Sequence, residues 1–441
     1  MSALKKKQFL FYGINSFLDV ISTKFVKDVT WNIISFIILG ISGILLNFII
    51  GRFYSASTLG VFNQVFALYI FLSQFGALGI YFSVLKYVSE FSENHELSIS
   101  IIISGLIISS ISSSIITLIV YIFAKNIGSF FESSLLSMAL IYVLPGLWSS
   151  ALNKVLLAAL NGFRYMKVYA IAQAIRYILM IGALVFCLMI NVQGYVLPVI
   201  ITMSDLGLLL FLLIYIFSKY KFEIMKIKKN IFAWLPKHLH FGLKGFLSGT
   251  IAELNTRIDV LMLGYFLTDK NVGIYSMAAF IVEGLMMLSF VIRDNINPLI
   301  TKYIMQKRYT ELSKMVRLTL KIWYSIMFLI GGIAIITYPY FIRLIVNNKE
   351  FIQGWSSFNI LILGCVLSAG YLPFNMILVQ SGFPGIHTFL KIITILTNII
   401  LNAVLIPIAG INGAAIATAA TFVLSICYLK QLVKKYLNFR L

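Results

Sequence analysis

Long apolar segments separated by short polar stretches run along nearly the whole chain. Each apolar segment is about 20 residues long, the length that a helix needs to cross a hydrocarbon core of ~30 Å. The pattern therefore predicts an all-α polytopic membrane protein with twelve transmembrane helices. The predicted spans lie near residues 29–51, 59–84, 97–124, 134–152, 167–190, 195–218, 241–266, 272–298, 318–340, 352–380, 385–406 and 410–430.

Composition agrees with a membrane protein. Hydrophobic residues make up 60% and charged residues 11% of the chain, with a mean hydropathy of +0.96. Soluble domains carry about 25% charged residues. The net charge of +20 could indicate a nucleic-acid partner. Its placement in loops instead favours contact with anionic membrane lipids, so no nucleic acid is expected.

The basic residues are distributed unequally between the two sides of the predicted bundle. Of the 35 Lys and Arg, 27 fall in the N-terminal segment, the tail and every second connection, and three fall inside spans. The positive-inside rule then places both termini on the cytoplasmic side of the membrane. The opposite side holds five basic residues, namely Arg52, Lys125, Lys270, Arg343 and Lys349.

Residues 1–28 are predicted to form an amphipathic helix on the inner leaflet. Leu10, Ile14 and Ile21 fall on one helical face, while Asp19 interrupts the apolar stretch that a signal peptide would need. This segment is therefore interpreted as a cytoplasmic N-terminal helix.

Three passages repeat in order at nearly constant spacing, which indicates an internal duplication. The pattern G-x-F-x-[ST]-x-x-x-[LV]-G-[VI]-[FY] occurs twice at an offset of 213, and two shorter matches have offsets of 220 and 219. The matching pairs are 51–62 with 264–275, 161–163 with 381–383, and Gly194 with Gly413.

Because each half contains an even number of spans, both halves enter the membrane from the same side and form parallel repeats. Two lobes of this kind can rock against each other. The predicted organisation is residues 1–28 as N-terminal helix, 29–218 as N-lobe, 219–240 as basic cytoplasmic linker, 241–430 as C-lobe and 431–441 as basic tail.

Eight charged residues fall inside predicted spans, where each costs about 2.5–3.5 kcal/mol when it faces lipid. In one interpretation they line a wet cavity, in which arginines hold an anionic head group and carboxylates carry H⁺ or Na⁺. In the other, Arg176–Asp205 and Glu253–Arg257 are structural ion pairs. The candidate substrate-binding cations are Arg257, Arg176, Arg52 and Arg293, and the ion-coupling candidates are Glu253, Glu283, Asp205 and Asp259.

Several of these residues also have structural interpretations that require no role in transport. Asp259 is compatible with a helix end at the outer interface, and Arg293 with a side chain that reaches the inner interface. Arg52, at the outer end of the first span, is either a gate cation or an ordinary flanking residue.

Enzyme signatures are missing from the sequence. The four histidines have no metal-ligand spacing, no nucleotide-binding loop is present, and Cys187, Cys365 and Cys427 lie in or beside apolar spans. The longest outer loop, 340–351, is about a dozen residues. These features favour a transporter without cofactor or metal over a membrane glycosyltransferase or polysaccharide polymerase.

The passages Arg257–Phe266 and Val272–Ala278, their counterpart Gly51–Phe62, and Ile408–Thr418 resemble polysaccharide flippases. The chain is similar to Wzx-type O-antigen or capsule flippases of the multidrug/oligosaccharidyl-lipid/polysaccharide exporter superfamily. That resemblance implies two six-helix lobes in a V, a cationic cavity and export of a polyprenyl-diphosphate-linked oligosaccharide, coupled to an ion as in antiport. Glycan polymerase and chain-length proteins are the expected partners in polysaccharide biosynthesis, and Arg257 is the one residue carried over.

A cation-coupled multidrug exporter of the same superfamily is the main alternative. Such an exporter would favour a pocket dominated by carboxylates, whereas the arginines named above offset the acids here. The arginine content therefore favours an anionic substrate.

Overall fold

A computed structural model describes residues 40–219, 224–254 and 257–441, and within these residues all regular secondary structure is helical. The predicted N-terminal helix at 1–28 lies outside the described residues. The helices are α1 (Gly40–Phe53), α2 (Ala56–Ala77), α3 (Ile80–Glu90), α4 (His95–Phe130), α5 (Ser134–Gly162), α6 (Met166–Met189), α7 (Val199–Lys219), α8 (Ile224–Leu254), α9 (Ile258–Phe266), α10 (Asp269–Met305), α11 (Tyr309–Phe341), α12 (Trp355–Ala369), α13 (Ile377–Gln380) and α14 (Pro384–Leu437).

Nine helices in the described part of the chain are long and apolar enough to cross a membrane. One of them, α14, is 54 residues long and has a non-helical residue at Gly410, so it covers the last two predicted spans. The predicted seventh span is divided into α8 and α9, and the first is described only from Gly40. The multi-pass all-α architecture predicted from the apolar pattern is confirmed.

Most helices pack within their own half of the sequence. In the N-terminal half α5 contacts α2, α4 and α7, and in the C-terminal half α12 contacts α10, α11 and α14. Helix α8 is different, because it packs mainly against α3 and α4 of the N-terminal half. Trp234 and His238, which the sequence placed in the 219–240 linker, are buried on this helix.

The lipid-facing surface is visible as exposed apolar side chains on the long helices. On α4, Ile111, Ile115 and Leu118 are exposed and recur at three- and four-residue spacing. Phe328 and Ile336 of α11 show the same periodic exposure. Because these residues share one helical face, they form a continuous apolar surface suited to hydrocarbon.

The second predicted span is interrupted where it comes close to the backbone of another helix. The second span breaks between α2 and α3, where Leu78 and Gly79 both adopt positive φ angles of 46° and 68°. A Cβ at Gly79 would overlap the backbone of Gly242 on α8. Only glycine combines this backbone conformation with so close an approach.

The two lobes meet where α2 crosses α10, at the end of the bundle that carries residues 51–62 and 264–275, here called the motif end. A Cβ at Gly60 would overlap the carbonyl group of Asp269, and a Cβ at Gly273 would overlap that of Ala56. Both the glycines and their partners are 213 positions apart, so the contact is reciprocal. The repeat motif thus forms the crossing between the lobes.

Candidate functional site

A cavity of about 100 Å³ lies between the two lobes. Its wall is apolar except for a small set of polar groups, a composition typical of a ligand site. The polar lining residues are Asn47, Asn63, Tyr177, Arg257 and Glu283, and the apolar ones include Ile44, Phe62, Phe66, Met180, Phe280 and Met287.

Arg257 and Glu283 are the charged pair of this cavity. The Arg257 guanidinium lies 3.4 Å from the Glu283 carboxylate and 4.8 Å from the ring of Phe280. Arg257 precedes the first turn of α9, whereas Glu253 lies at the end of α8. Arg257 has a non-helical backbone conformation, with φ −136° and ψ 4°, and its described ion pair is with Glu283; pairing of Glu253 with Arg257 stays a prediction.

Two asparagines add hydrogen-bonding capacity that reasoning from charges alone missed. Asn63 donates through Nδ2 to Asn47 Oδ1 at 3.0 Å, and Asn47 donates to the Gly43 carbonyl at 2.8 Å. The Oδ1 atom of Asn63 is buried and has no hydrogen-bond partner among the described residues. A ligand or water that donates a hydrogen bond would satisfy it.

Arg176 and Asp205 form the structural ion pair that the sequence offered as one alternative. Arg176 Nε lies 2.8 Å from Asp205 Oδ1, and Asp205 is 1% exposed. The hydroxyl of Tyr69 joins the pair, accepting from Arg176 Nη2 at 2.8 Å and donating to Asp205 Oδ2. This cluster links α2, α6 and α7 inside the N-lobe and does not line the cavity.

Asp259 lies inside the C-lobe. It accepts hydrogen bonds from the Tyr275 hydroxyl and the Val260 amide, both at 2.8 Å, and Tyr275 also contacts Thr418 at 3.2 Å. Asp259 lies in the first turn of α9 and is thus a helix-end residue, while its position at an outer interface stays a prediction. Its contacts join α9, α10 and α14.

Arg52 and Arg293 also lie outside the cavity. Arg52 donates through Nη1 to the Ile345 carbonyl at 2.8 Å, across the lobes at the motif end. Arg293 Nε contacts Asp294 at 2.7 Å on α10. Of the four predicted cations, Arg257 alone lines this cavity. In the described part of the chain no three His, Cys, Asp or Glu side chains meet as a metal site requires.

A carboxylate from the C-lobe caps a helix of the N-lobe at the motif end. Glu350 accepts from the Ala56 amide at 3.1 Å and contacts Lys270 Nζ at 2.8 Å. The amide of Ala56 is the first of α2, where the helix dipole favours a negative charge. Lys270 and that amide hold the pKa of Glu350 below its usual value.

Asp269 forms the matching contact at the start of α10. It accepts from Gln64 Nε2 and from the Ser133 hydroxyl, both at 2.7 Å. Gln64 and Ser133 belong to the N-lobe and are buried. Each lobe therefore supplies side chains that hydrogen-bond to the first turn of a helix in the other lobe.

Replacing Glu350 with Gln should weaken closure of the motif end and remove its response to acid. A lowered pKa means that the carboxylate stabilises the closed state above the ordinary Glu range of about 4.3. That stabilisation is lost as pH falls through the lowered value. For so exposed a pair we expect the closed-to-open ratio to fall by about fivefold or less. Spin-label distances across the motif end, measured from pH 7 to 3, check this.

Glu132→Gln serves as the control, because Glu132 is exposed at the same end of the molecule. An unchanged distance distribution in Glu350→Gln at neutral pH would contradict the prediction.

Solved structures of membrane transporters share this two-lobed arrangement of helices. The chain is similar to the lipid II flippase MurJ in an inward closed conformation, with a TM-score of 0.73 and 16% identity, covering 92% of this chain and 87% of that one. It is also similar to an inward-facing multidrug resistance MATE family transporter of the MOP superfamily, with a TM-score of 0.67 and 15% identity over 90% and 95%. These likenesses show the fold alone, which is that of a two-lobed polytopic α-helical membrane protein.

The chain belongs to the family described as polysaccharide biosynthesis protein, which matches residues 25–303. A second family, MatE, matches residues 246–404. An uncharacterized membrane protein of Methanocaldococcus jannaschii is 23% identical over 94% of this chain and 86% of its own length. The probable low-salt glycan biosynthesis flippase Agl15 of Haloferax volcanii is 27% identical over 37% of this chain and 35% of its own length.

These matches confirm the resemblance to polysaccharide flippases that the short motifs indicated. MurJ, the MATE family transporter and Agl15 are named as flippases or transporters, which agrees with the expectation that the chain is not an enzyme.

Proposed function

We propose that this protein flips a polyprenyl-diphosphate-linked oligosaccharide, such as an O-antigen or capsule repeat unit, from the cytoplasmic to the outer leaflet. The observation that carries the proposal is Arg257, a cation on the wall of a cavity between two lobes. Its forked donors suit a diphosphate. Asn47 and Asn63 offer further hydrogen bonds for the head group.

The cavity volume indicates which state the structure represents. At about 100 Å³ the cavity holds a few waters, whereas sites for drug-sized ligands measure about 300–1,000 Å³. A lipid-linked glycan therefore enters only after the lobes separate at one end. Contacts between the lobes at both ends, at Gly60 and at Gly79, support an occluded state that alternating access passes through.

The charge distribution supports the orientation of the proposed flippase. The motif end carries Arg52, Lys125 and Lys270, while most basic residues fall at the opposite end or in the tail. By the positive-inside rule the motif end faces the outside and both termini the cytoplasm of the bacterial inner membrane. A glycan polymerase and chain-length proteins would then receive the flipped product.

Glu283 is our first candidate for ion coupling, with Asp259, Asp205 and Glu253 as further carboxylates. Its side chain is 43% exposed and lies beside Arg257. A proton or Na⁺ bound by Glu283 would free the guanidinium for the anionic substrate. Release of that ion would restore the pair and favour departure of the substrate, as antiport requires.

Arg257→Ala should reduce flipping by about 100-fold or more, because removing a charge-assisted contact in a site shielded from water costs several kcal/mol. Arg257→Lys should retain part of the rate. The measurement is translocation of a polyprenyl-diphosphate glycan by the purified protein in liposomes, with surface glycan scored in cells. The control is Arg308→Ala, which removes an exposed arginine outside the cavity.

Wild-type flipping in Arg257→Ala would refute the cavity assignment. The family match over 246–404 favours one rival, a cation-coupled multidrug exporter. Efflux of a cationic dye by the wild type, with no translocation of the lipid-linked glycan, would support that rival.

A further inference from the structure

Lys154 is a cation inside the N-lobe that the sequence pattern assigned to a loop. It lies on α5, eight residues before the helix ends at Gly162. Its ammonium donates to the Ser73 hydroxyl at 2.9 Å. Among the residues that the structure describes, no carboxylate oxygen lies within 4.0 Å of Lys154 Nζ. Since charge at membrane depth is costly, such a lysine calls for a functional explanation.

Ser73 places Lys154 beside the same face of α2 as Phe66 and Tyr69. Phe66, Tyr69 and Ser73 follow one another on α2 at spacings of three and four, so they share a helical face. Phe66 lines the cavity. Ser73 is seven residues further along, or about 10 Å at 1.5 Å per residue. This face of α2 therefore runs from the cavity at Phe66, past the buried cluster of Tyr69, to Lys154.

Helix α8 covers this surface. A Cβ at Gly249 would lie 2.6 Å from the Tyr81 hydroxyl, so α8 and α3 are in close contact there. Glu253 follows one turn later, at the end of α8 nearest the cavity. A Cβ at Gly249 would also lie 3.7 Å from Oε1 of Gln74, the neighbour of Ser73 on α2, so this part of α8 lies beside the site of Lys154. A carboxylate from the C-terminal half thus approaches the lysine of the N-lobe.

We propose that Lys154 is a second cation for the anionic head group, and that Glu253 occupies its place while α8 is docked. When α8 leaves the N-lobe, Lys154 loses the influence of Glu253 and becomes accessible to the substrate. This inference rests on the proposed function for its substrate class, and it identifies where the diphosphate first binds on the way to Arg257.

The physical basis is competition between two anions for one ammonium. A carboxylate and a diphosphate both accept charge-assisted hydrogen bonds, and the surface beside Ser73 holds one of them at a time. In a site of low dielectric constant the lysine favours whichever anion is present. Undocking of α8 and substrate entry therefore promote each other, which couples opening at this end to binding.

The test uses the full-length protein in detergent, with geranylgeranyl diphosphate as the probe and geranylgeraniol as the uncharged comparison. We expect Lys154→Met to weaken diphosphate binding by about tenfold or more, and Lys154→Arg to keep it within about threefold.

Glu253→Gln should tighten diphosphate binding, because the competing carboxylate charge is gone. Lys154→Met/Glu253→Gln should bind no tighter than Lys154→Met. Lys125→Met, an exposed lysine on α4, is the matched control.

Thermal unfolding of each variant separates lost binding from lost folding, and Lys154→Arg and Glu253→Gln test the idea even if Lys154→Met does not fold. Wild-type affinity in Lys154→Met, or no tightening in Glu253→Gln, would overturn this inference while leaving the proposed function intact. Recovery of binding in Lys154→Glu/Glu253→Lys would assign the two residues a structural pairing and overturn it as well. A wild-type protein that does not distinguish diphosphate from alcohol would refute the proposed substrate class itself.

Discussion

Replacing Gly60 with Ala is expected to hold the motif end open and to lower transport at least tenfold. A Cβ at this position would overlap the backbone carbonyl of Asp269, which cannot move aside as a flexible side chain does. Overpacking of this kind costs about 1–3 kcal/mol, and the cost falls on the closed state in which α2 and α10 touch. Each 1.4 kcal/mol changes the closed-to-open ratio tenfold.

The measurement combines flipping in liposomes with the distance between spin labels at Ser129 and Lys349, exposed positions on opposite lobes at the motif end. We expect longer distances in Gly60→Ala and in Gly273→Ala. The control is Gly182→Ala, because a Cβ there meets nothing within 4 Å. Normal transport with an unchanged distance in Gly60→Ala would show that the crossing is looser than described.

Asp205→Asn is expected to destabilise the protein by about 3–5 kcal/mol, because it leaves the Arg176 guanidinium in the N-lobe without its counter-charge. Glu311→Gln, in contrast, should leave stability nearly unchanged, since its pair with Arg308 is exposed. Thermal unfolding of the purified variants in detergent, together with their yield from membranes, compares the two.

A matched double variant separates ion pairing from function. Arg176→Met/Asp205→Leu removes both charges and should recover most of the stability lost in Asp205→Asn, because apolar replacements of buried pairs are often tolerated. If the recovered protein also flips its substrate, the pair is structural. Recovered folding without transport would return Asp205 to the set of coupling carboxylates.

The repeated motif indicated the duplication, but that it forms the crossing between the lobes was not predicted from the sequence. Gly60 and Gly273 stand at equivalent places in the repeated pattern, and the structure shows that backbones touch at both. The pairing of Arg176 with Asp205 was one of the alternatives offered by the sequence, because both residues lie at similar depth on adjacent antiparallel spans.

Periodicity did not predict the interruption of the seventh span. The apolar pattern runs through both Glu253 and Arg257, so the two appeared to share one helical face. The structure instead ends α8 at Leu254 and begins α9 at Ile258, and it packs α8 against the other half of the chain. Tertiary contacts with α3 and α4 decide this geometry, and they leave no local signal in the sequence.

Lys154 and the asparagines of the cavity were missed for different physical reasons. A lysine just after an apolar run is indistinguishable from a loop residue until the helix end at Gly162 is seen. Asn47 and Asn63 carry no charge, so a search for costly charged groups passes over them. The signal that was available was their polarity inside or beside apolar spans.

The reciprocal contact of Gly60 with Asp269 and of Gly273 with Ala56 has the form of an isologous interface, in which one patch meets its own equivalent across a two-fold axis. A homodimer of a single six-helix unit would make the same crossing with one glycine per subunit. Fusion into one chain frees the two copies to diverge elsewhere, as Arg52 and Tyr265 have. At the crossing, fusion does not free the two copies to diverge, because a side chain added to either glycine would disrupt the same contact.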